Sequence, residues 1–272
     1  MSTVASYISK WFEEDPDWRL RHQERVFERY ATPDEVAAAT SPEAIAALVD
    51  VCDQRESAFH KDQRTRERDR AARASAYSAL HKGGFPVRLI EAAVGELVKP
   101  PGTADHDCKH DVAPPSATTE TAAMQHARAY LDAGDKAALV LLGGVGAGKT
   151  FAATWVAYKL GQESRHVGYV PSTRLESDGR YDRDRRGWID GRTLLVIDDV
   201  GVEPIDSKGY YVALLEEVID SFYGSRRRLI ITSNLAATTF SERYGARIWS
   251  RLCEVGMIAS CGAEDLRRKA GR

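Results

Sequence analysis

The sequence predicts an α/β fold, in which a domain with a parallel sheet follows a mainly helical N-terminal domain. Three observations predict it. Short apolar runs at Leu139-Val140-Leu141-Leu142, Leu194-Leu195-Val196-Ile197 and Leu229-Ile230-Ile231 read as buried strands. The second run ends in Asp198-Asp199 and the third in Thr232-Ser233-Asn234, so polar groups collect where the strands of an open parallel sheet share one crevice. The first run leads directly into Gly143-Gly144-Val145-Gly146-Ala147-Gly148-Lys149-Thr150, which has the spacing of a phosphate-binding loop.

The N-terminal hundred residues lean helical. Ser41-Pro42-Glu43 is a helix-start pattern, and Ala44, Ile45, Leu48, Val49 and Cys52 follow at helical spacing. Before it, Trp11, Phe12, Trp18, Leu20, Val26, Phe27 and Tyr30 crowd apolar and aromatic groups into a charged segment, as a small core or as a docking surface for another protein. Residues 60–73 alternate basic and acidic side chains with positive charge in excess. That pattern suits a solvated helix with intrahelical ion pairs, or a face for nucleic acid or a partner. Residues 100–119 are rich in Pro and small polar groups and read as a linker. The expected organisation is therefore an N-terminal helical, partner-binding domain over 1–99, the linker over 100–119 and the α/β nucleotide domain over 120–272. Within the linker, His106, Cys108 and His110 could ligate zinc with Cys52 or His81, but no second closely spaced pair completes a zinc knuckle.

Composition adds limits. The 272 residues are 43% hydrophobic and 29% charged, enough for one good core and a smaller appendage. A formal net charge of -2 announces no global positive field, so any nucleic-acid contact must come from local patches. Four scattered cysteines and no membrane-length apolar run lead us to expect a cytoplasmic protein with no membrane partner.

The chemistry-bearing residues follow from the loop. Its glycines let backbone N–H groups turn toward phosphate oxygens, Lys149 reaches the β/γ-phosphates, and the Thr150 hydroxyl is placed to ligate Mg²⁺. Residues 143–150 with Phe151, the first residue of a helix expected over 151–160, form the candidate ATP-binding set. The run after a strand expected at 166–170 delivers Asp198 as the second Mg²⁺ ligand, and Asp199 can polarise a water for attack on the γ-phosphate. Asn234 should lie near that phosphate and help place the water, unless it only caps the turn after its strand. Arg247 and Arg251, four apart on a helix expected over 242–252, share one face.

The order of phosphate loop, Leu-Leu-Val-Ile-Asp-Asp-Val-Gly, Ile-Thr-Ser-Asn and Arg-Ile-Trp-Ser-Arg-Leu resembles the AAA+ ATPases of the DnaC/IstB group. The resemblance covers about residue 120 to the end. It implies an AAA+ (ASCE) P-loop domain without a C-terminal helical lid, Mg²⁺-dependent ATP hydrolysis, and an oligomer in which Arg251 works in trans on a neighbour's ATP, with Arg247 in the same box. It also implies single-stranded DNA and a DnaB-type replicative helicase as partners of a helicase loader. A transposition helper ATPase and a nucleotide-gated scaffold with little hydrolysis are the alternatives. Asp199 stands where many AAA+ proteins carry Glu. The segment 171–192 is short and charged where loaders of this group have a DNA-lining helical insertion, although Arg174, Arg180, Arg183, Arg185 and Arg186 could still contact phosphates.

Overall fold

The computed structural model describes Val26 and residues 29–94, 121–162, 166–175, 183–203, 209–225 and 227–262. The aromatic cluster from Trp11 to Trp18, the linker with His106, Cys108 and His110, and Arg180 lie outside these residues, as does everything after Gly262 on which the expectation of a missing lid bears.

Helices α1 (Pro33–Ala38), α2 (Pro42–Lys82), α3 (Val87–Val94) and α4 (Ala122–Ala133) precede strand β1 (Ala138–Leu142). Then come α5 (Lys149–Gly161), β2 (Val167–Pro171), α6 (Ser172–Leu175), α7 (Arg183–Asp190) and β3 (Leu194–Val200). The chain continues through α8 (Tyr210–Phe222), β4 (Arg228–Ser233), α9 (Ala237–Tyr244), α10 (Ala246–Val255) and β5 (Gly256–Ser260).

The strands form one sheet in the order β2-β3-β4-β1-β5, and every pairing is parallel. Placement of β4 between β1 and β3 has a functional consequence. The end of β4 lies between the strand that feeds the phosphate loop and the strand that ends in the two acids.

Helices cover both faces of the sheet, which explains why the strand sequences are continuously apolar rather than alternating. Leu139 and Leu141 of β1, Val196 of β3 and Ile230 of β4 pack on one face with Ala152, Ala153, Val156 and Ala157 of α5. On the opposite face Val140, Leu195, Ile197, Leu229 and Ile231 meet Leu215, Ile219, Phe240, Ile248 and Leu252. The alanine face of α5 lets that helix approach the sheet closely. Strand β5 was not anticipated from the sequence. It is short, and its first three residues are only half-buried, as on an edge.

The chain divides into compact units at Ala71/Ala72. In the first, Thr32 and Glu35 form a capping box at the start of α1, and Arg55 on α2 donates to Glu35 at 2.8 and 2.5 Å. Val26, Leu48 and Cys52 form the small core of that unit. The expected start of α2 is present, with the Ala44 N–H donating to the Ser41 hydroxyl at 3.2 Å. Residues 60–73 are helical and almost entirely exposed, with an intrahelical Arg66–Asp62 ion pair at 2.9 Å. In the second unit, Ala76, Ala79, Leu80, Phe85, Ile90 and Ala93 belong to the core of the sheet domain. This differs from the boundary after residue 99 expected from sequence. The reason is that these apolar groups, at helical spacing on α2 and α3, find the sheet face rather than a separate core.

The helix expected over 242–252 is two helices. Gly245, at φ 89°, breaks it between α9 and α10. Arg247 and Arg251 fall together on α10.

Candidate nucleotide-binding site

The loop after β1 needs its glycines for identifiable reasons. Gly143 has φ 148°, and a Cβ there would sit 2.5 Å from the carbonyl oxygen of Gly262. Gly148 adopts a left-handed conformation at φ 82° as the residue before α5. No side chain caps that helix start, which leaves first-turn N–H groups as donors for an anion, reinforced by the helix dipole. The segment after β5 braces the loop from outside, because the Gly144 N–H donates to the Gly262 carbonyl at 2.8 Å and the Cys261 N–H to the Leu142 carbonyl at 2.7 Å. Val145 is exposed at the tip, Ala147 is buried, and Phe151 packs against the core beneath α5.

Lys149 is 4% exposed. Its Nζ donates to the carbonyls of Gly143 and Gly144 at 2.8 and 2.7 Å and to Asn234 Oδ1 at 2.8 Å. Asn234 in turn donates through Nδ2 to Asp199 Oδ1 at 3.3 Å. One line of polar contacts therefore joins the loop after β1, the end of β4 and the end of β3. The strand order makes this reach short.

The two acids occupy different environments although they are adjacent. Asp198 is 5% exposed and accepts from the Thr232 hydroxyl at 2.6 Å and from the Tyr169 hydroxyl at 2.6 Å. Burial first, and then the neighbouring Asp198 charge, push the Tyr169 phenol above its ordinary range, so it serves as a donor. Asp199 lies in an irregularity of the β3–β4 register between Ile197 and Val200, with φ 56°. Such bulges re-aim side chains at sheet edges and sites, and Asp tolerates the left-handed region better than most residues. Two hydrogen bonds hold this conformation. The Asp199 N–H donates to Thr232 Oγ1 at 2.9 Å, and its carbonyl accepts from Ser172 Oγ at 2.7 Å.

Just beyond β3, the Glu203 carboxylate is buried. It accepts from the Gly201 N–H at 2.7 Å and from Arg243 Nη2 at 2.9 Å, and it also accepts from Tyr244 Oη. Burial alone would raise its pKa, but the Tyr244, Gly201 and Arg243 donors together hold it below the ordinary value of 4.5. A carboxyl depressed in the folded state contributes stability that is complete above its unfolded pKa and is lost as pH falls through the folded one. Glu203→Ala is expected to lower the unfolding free energy by about 2–3 kcal/mol near neutral pH, because buried donors lose their acceptor. Urea denaturation should show this gap between wild type and variant narrowing below about pH 4.5.

Arg247 and Arg251 do not join the cluster around Lys149 through any described hydrogen bond or ion pair. They face α8, where Arg247 Nε lies 2.8 Å from Glu216 Oε1, and Arg251 Nη1 pairs with Asp220 and lies 3.5 Å from Glu216. Arg174 is exposed, and the side chains at 183–186 lie outside the described set. Sequence reasoning missed Tyr169, Thr232, Glu203, Ser172 and the Cys261-Gly262 brace. Thr232 had a signal, since it stands in the polar end of an apolar strand. Tyr169 had none.

The donor set fits a nucleoside triphosphate and Mg²⁺: uncapped helix N–H groups and a buried ammonium suit the phosphates, and the side chains of Thr150 and Asp198 carry hard oxygens of the kind that Mg²⁺ takes.

The family model described as "IstB-like ATP binding protein" matches residues 116–255, just over half of the chain. No curated protein matches the sequence. Among solved structures, a DnaC helicase loader is similar at 19% identity over 50% of this chain and 85% of that one, with a TM-score of 0.42. DnaI is similar at 16% identity over 55% of this chain and 86% of that one, with a TM-score of 0.45. Domain III of the Thermotoga maritima replication initiation protein DnaA is 25% identical over 56% of this chain and 65% of that one, with a TM-score of 0.44.

Proposed function

Because this chain belongs to the IstB-like ATP binding protein family, we propose that it is a Mg²⁺-dependent ATPase that works as an assembly switch on DNA, in the role of a helicase loader. The observation that carries the hydrolytic part is the contact line from Lys149 through Asn234 to Asp199. It ties the residue that would meet the γ-phosphate to the acid that would orient water, through one amide able to sense both. In this reading Lys149 and the first-turn N–H groups of α5 bind and orient the phosphates. Mg²⁺, held by Thr150 and Asp198, would neutralise charge on the β- and γ-oxygens. Asp199 takes the proton of the attacking water, and Asn234 keeps that water in line.

The partner-binding part rests on the N-terminal unit, which has a small core of its own and an exposed helical stretch. A DnaB-type replicative helicase and single-stranded DNA are the proposed partners, in a cytoplasmic setting. Among the described residues no helix is long and apolar enough to cross a membrane. The description of the matching family favours a second reading, the transposition helper, in which the same switch delivers DNA to a transposase.

Asp199→Asn provides the test of hydrolysis. Asn also tolerates the left-handed backbone, so the fold should persist while the base is lost. Turnover with DNA and Mg²⁺ is expected to fall about 10²–10⁴-fold with ATP affinity unchanged. Wild-type turnover no higher than that of the variant would instead identify a nucleotide-gated scaffold. Affinity capture from the source cell separates the two partner readings: a replicative helicase lost on deleting residues 1–71 supports the loader, whereas a transposase supports the helper.

A further inference from the structure

The Asp198 carboxylate is gripped by two hydroxyls from opposite sides. Thr232 comes from β4, inside the sheet. Tyr169 comes from β2, an edge strand. On its far side Tyr169 meets the turn that follows α2. Its N–H donates to the Gly83 carbonyl at 2.8 Å, and its ring lies 5.1 Å from that of Phe85, which is itself buried. The turn lies close against the strand, since a Cβ on Gly83 would be 2.6 Å from the Val167 carbonyl oxygen. An aromatic contact and a main-chain hydrogen bond thus act on the residue that holds Asp198, in a strand that the turn approaches closely.

We propose that Tyr169 is a positioning residue for the metal-binding carboxylate, and that the Gly83–Phe85 turn sets its position through the Phe85 ring. This rests on the reading of Asp198 as a Mg²⁺ ligand. Groups that orient a metal-ligating carboxylate govern metal affinity, typically by about 10–100-fold. Tyr169 has a geometry suited to this, because one rigid ring carries both the packing contact with Phe85 and, at its tip, the hydrogen-bond donor. Thr232 completes the arrangement: its hydroxyl donates to Asp198 and accepts the Asp199 N–H, so a shift of one acid is felt by the backbone of the other.

The test is the Mg²⁺ concentration that supports half-maximal binding of a fluorescent ATP analogue to the full chain, an equilibrium measurement independent of turnover. Tyr169→Phe keeps the ring against Phe85 and removes only the hydroxyl. It is expected to raise the midpoint about 10–100-fold, with Mg²⁺-free nucleotide binding unchanged. Phe85→Leu keeps an apolar group in the turn and is expected to raise it less. In the double variant, Phe85→Leu should add nothing, because the hydroxyl through which it acts is gone. An unchanged or lowered midpoint in Tyr169→Phe overturns the positioning role. A Phe85→Leu shift equally large in both backgrounds overturns the link to the turn. Asp198→Asn is the separate control: if it leaves the midpoint unmoved, the metal-ligand reading itself fails, whatever Tyr169 does.

Discussion

Lys149→Ala is expected to remove ATP binding at any practical concentration while leaving a folded protein. Nζ is buried and donates to three oxygens, two of them carbonyls of the loop itself. With a triphosphate present, the same ammonium would turn to the β- and γ-phosphates. Truncating one member of a desolvated charge pair costs about 2–5 kcal/mol, which is about 30-fold to about 4000-fold in affinity. The loss should lie toward the upper end. Alanine also removes the Nζ donor from the Gly143 and Gly144 carbonyls, so the loop loses its inward brace as well as its charge. Titration of a fluorescent ATP analogue measures the effect, and thermal unfolding without nucleotide should show little change, since the strands under the loop keep their packing. Retained binding within about threefold of wild type would place the phosphates elsewhere.

Arg251→Ala is expected to act on a different quantity. ATP affinity of the isolated subunit should be unchanged, whereas hydrolysis stimulated by assembly should fall, by about 10³-fold or more if the residue acts as a finger in trans. The structure adds a condition to this expectation. Arg251 is paired with Asp220 and near Glu216, and Arg247 shares Glu216. A guanidinium has five donors in a planar fork, and the described bonds of Arg251 to these acids use Nη1. The acids can therefore hold the fork while its other edge meets a phosphate of the neighbouring subunit. Mixing Arg251→Ala with Lys149→Ala protein should restore part of the activity, because an interface between them can combine an intact loop with an intact arginine. Equal loss of ATP affinity in the two variants would contradict action in trans.

The elements with the strongest local signals were legible from the residues alone. Strands β1, β3 and β4 announce themselves because a strand covered on both faces must be apolar throughout, and α5 because a glycine loop opens it and helical spacing continues it. The same reasoning marked Lys149 as the lysine of that loop, and Asp198, Asp199 and Asn234 as groups at strand ends. What it could not supply was β5, the break at Gly245 and the membership of residues 72–94 in the sheet domain. Each depends on a partner distant in sequence. Strand β5 exists by pairing with β1, and Phe85 is buried because Tyr169 and the sheet face are there to cover it.

By itself the sequence determined the chemistry available: a phosphate-binding loop, two consecutive carboxylates, a strand-end amide and two arginines one helical turn apart. These follow from local pattern, since spacing along a strand or helix fixes which groups emerge at one end or on one face. Only the tertiary structure decided how the groups meet. Insertion of β4 between β1 and β3 brings Asn234 to both Lys149 and Asp199, the bulge at Asp199 separates the tasks of two neighbouring acids, and the edge strand β2 supplies Tyr169 to Asp198. Strand order arises from pairing and packing between segments distant in sequence, which no local pattern in the chain encodes.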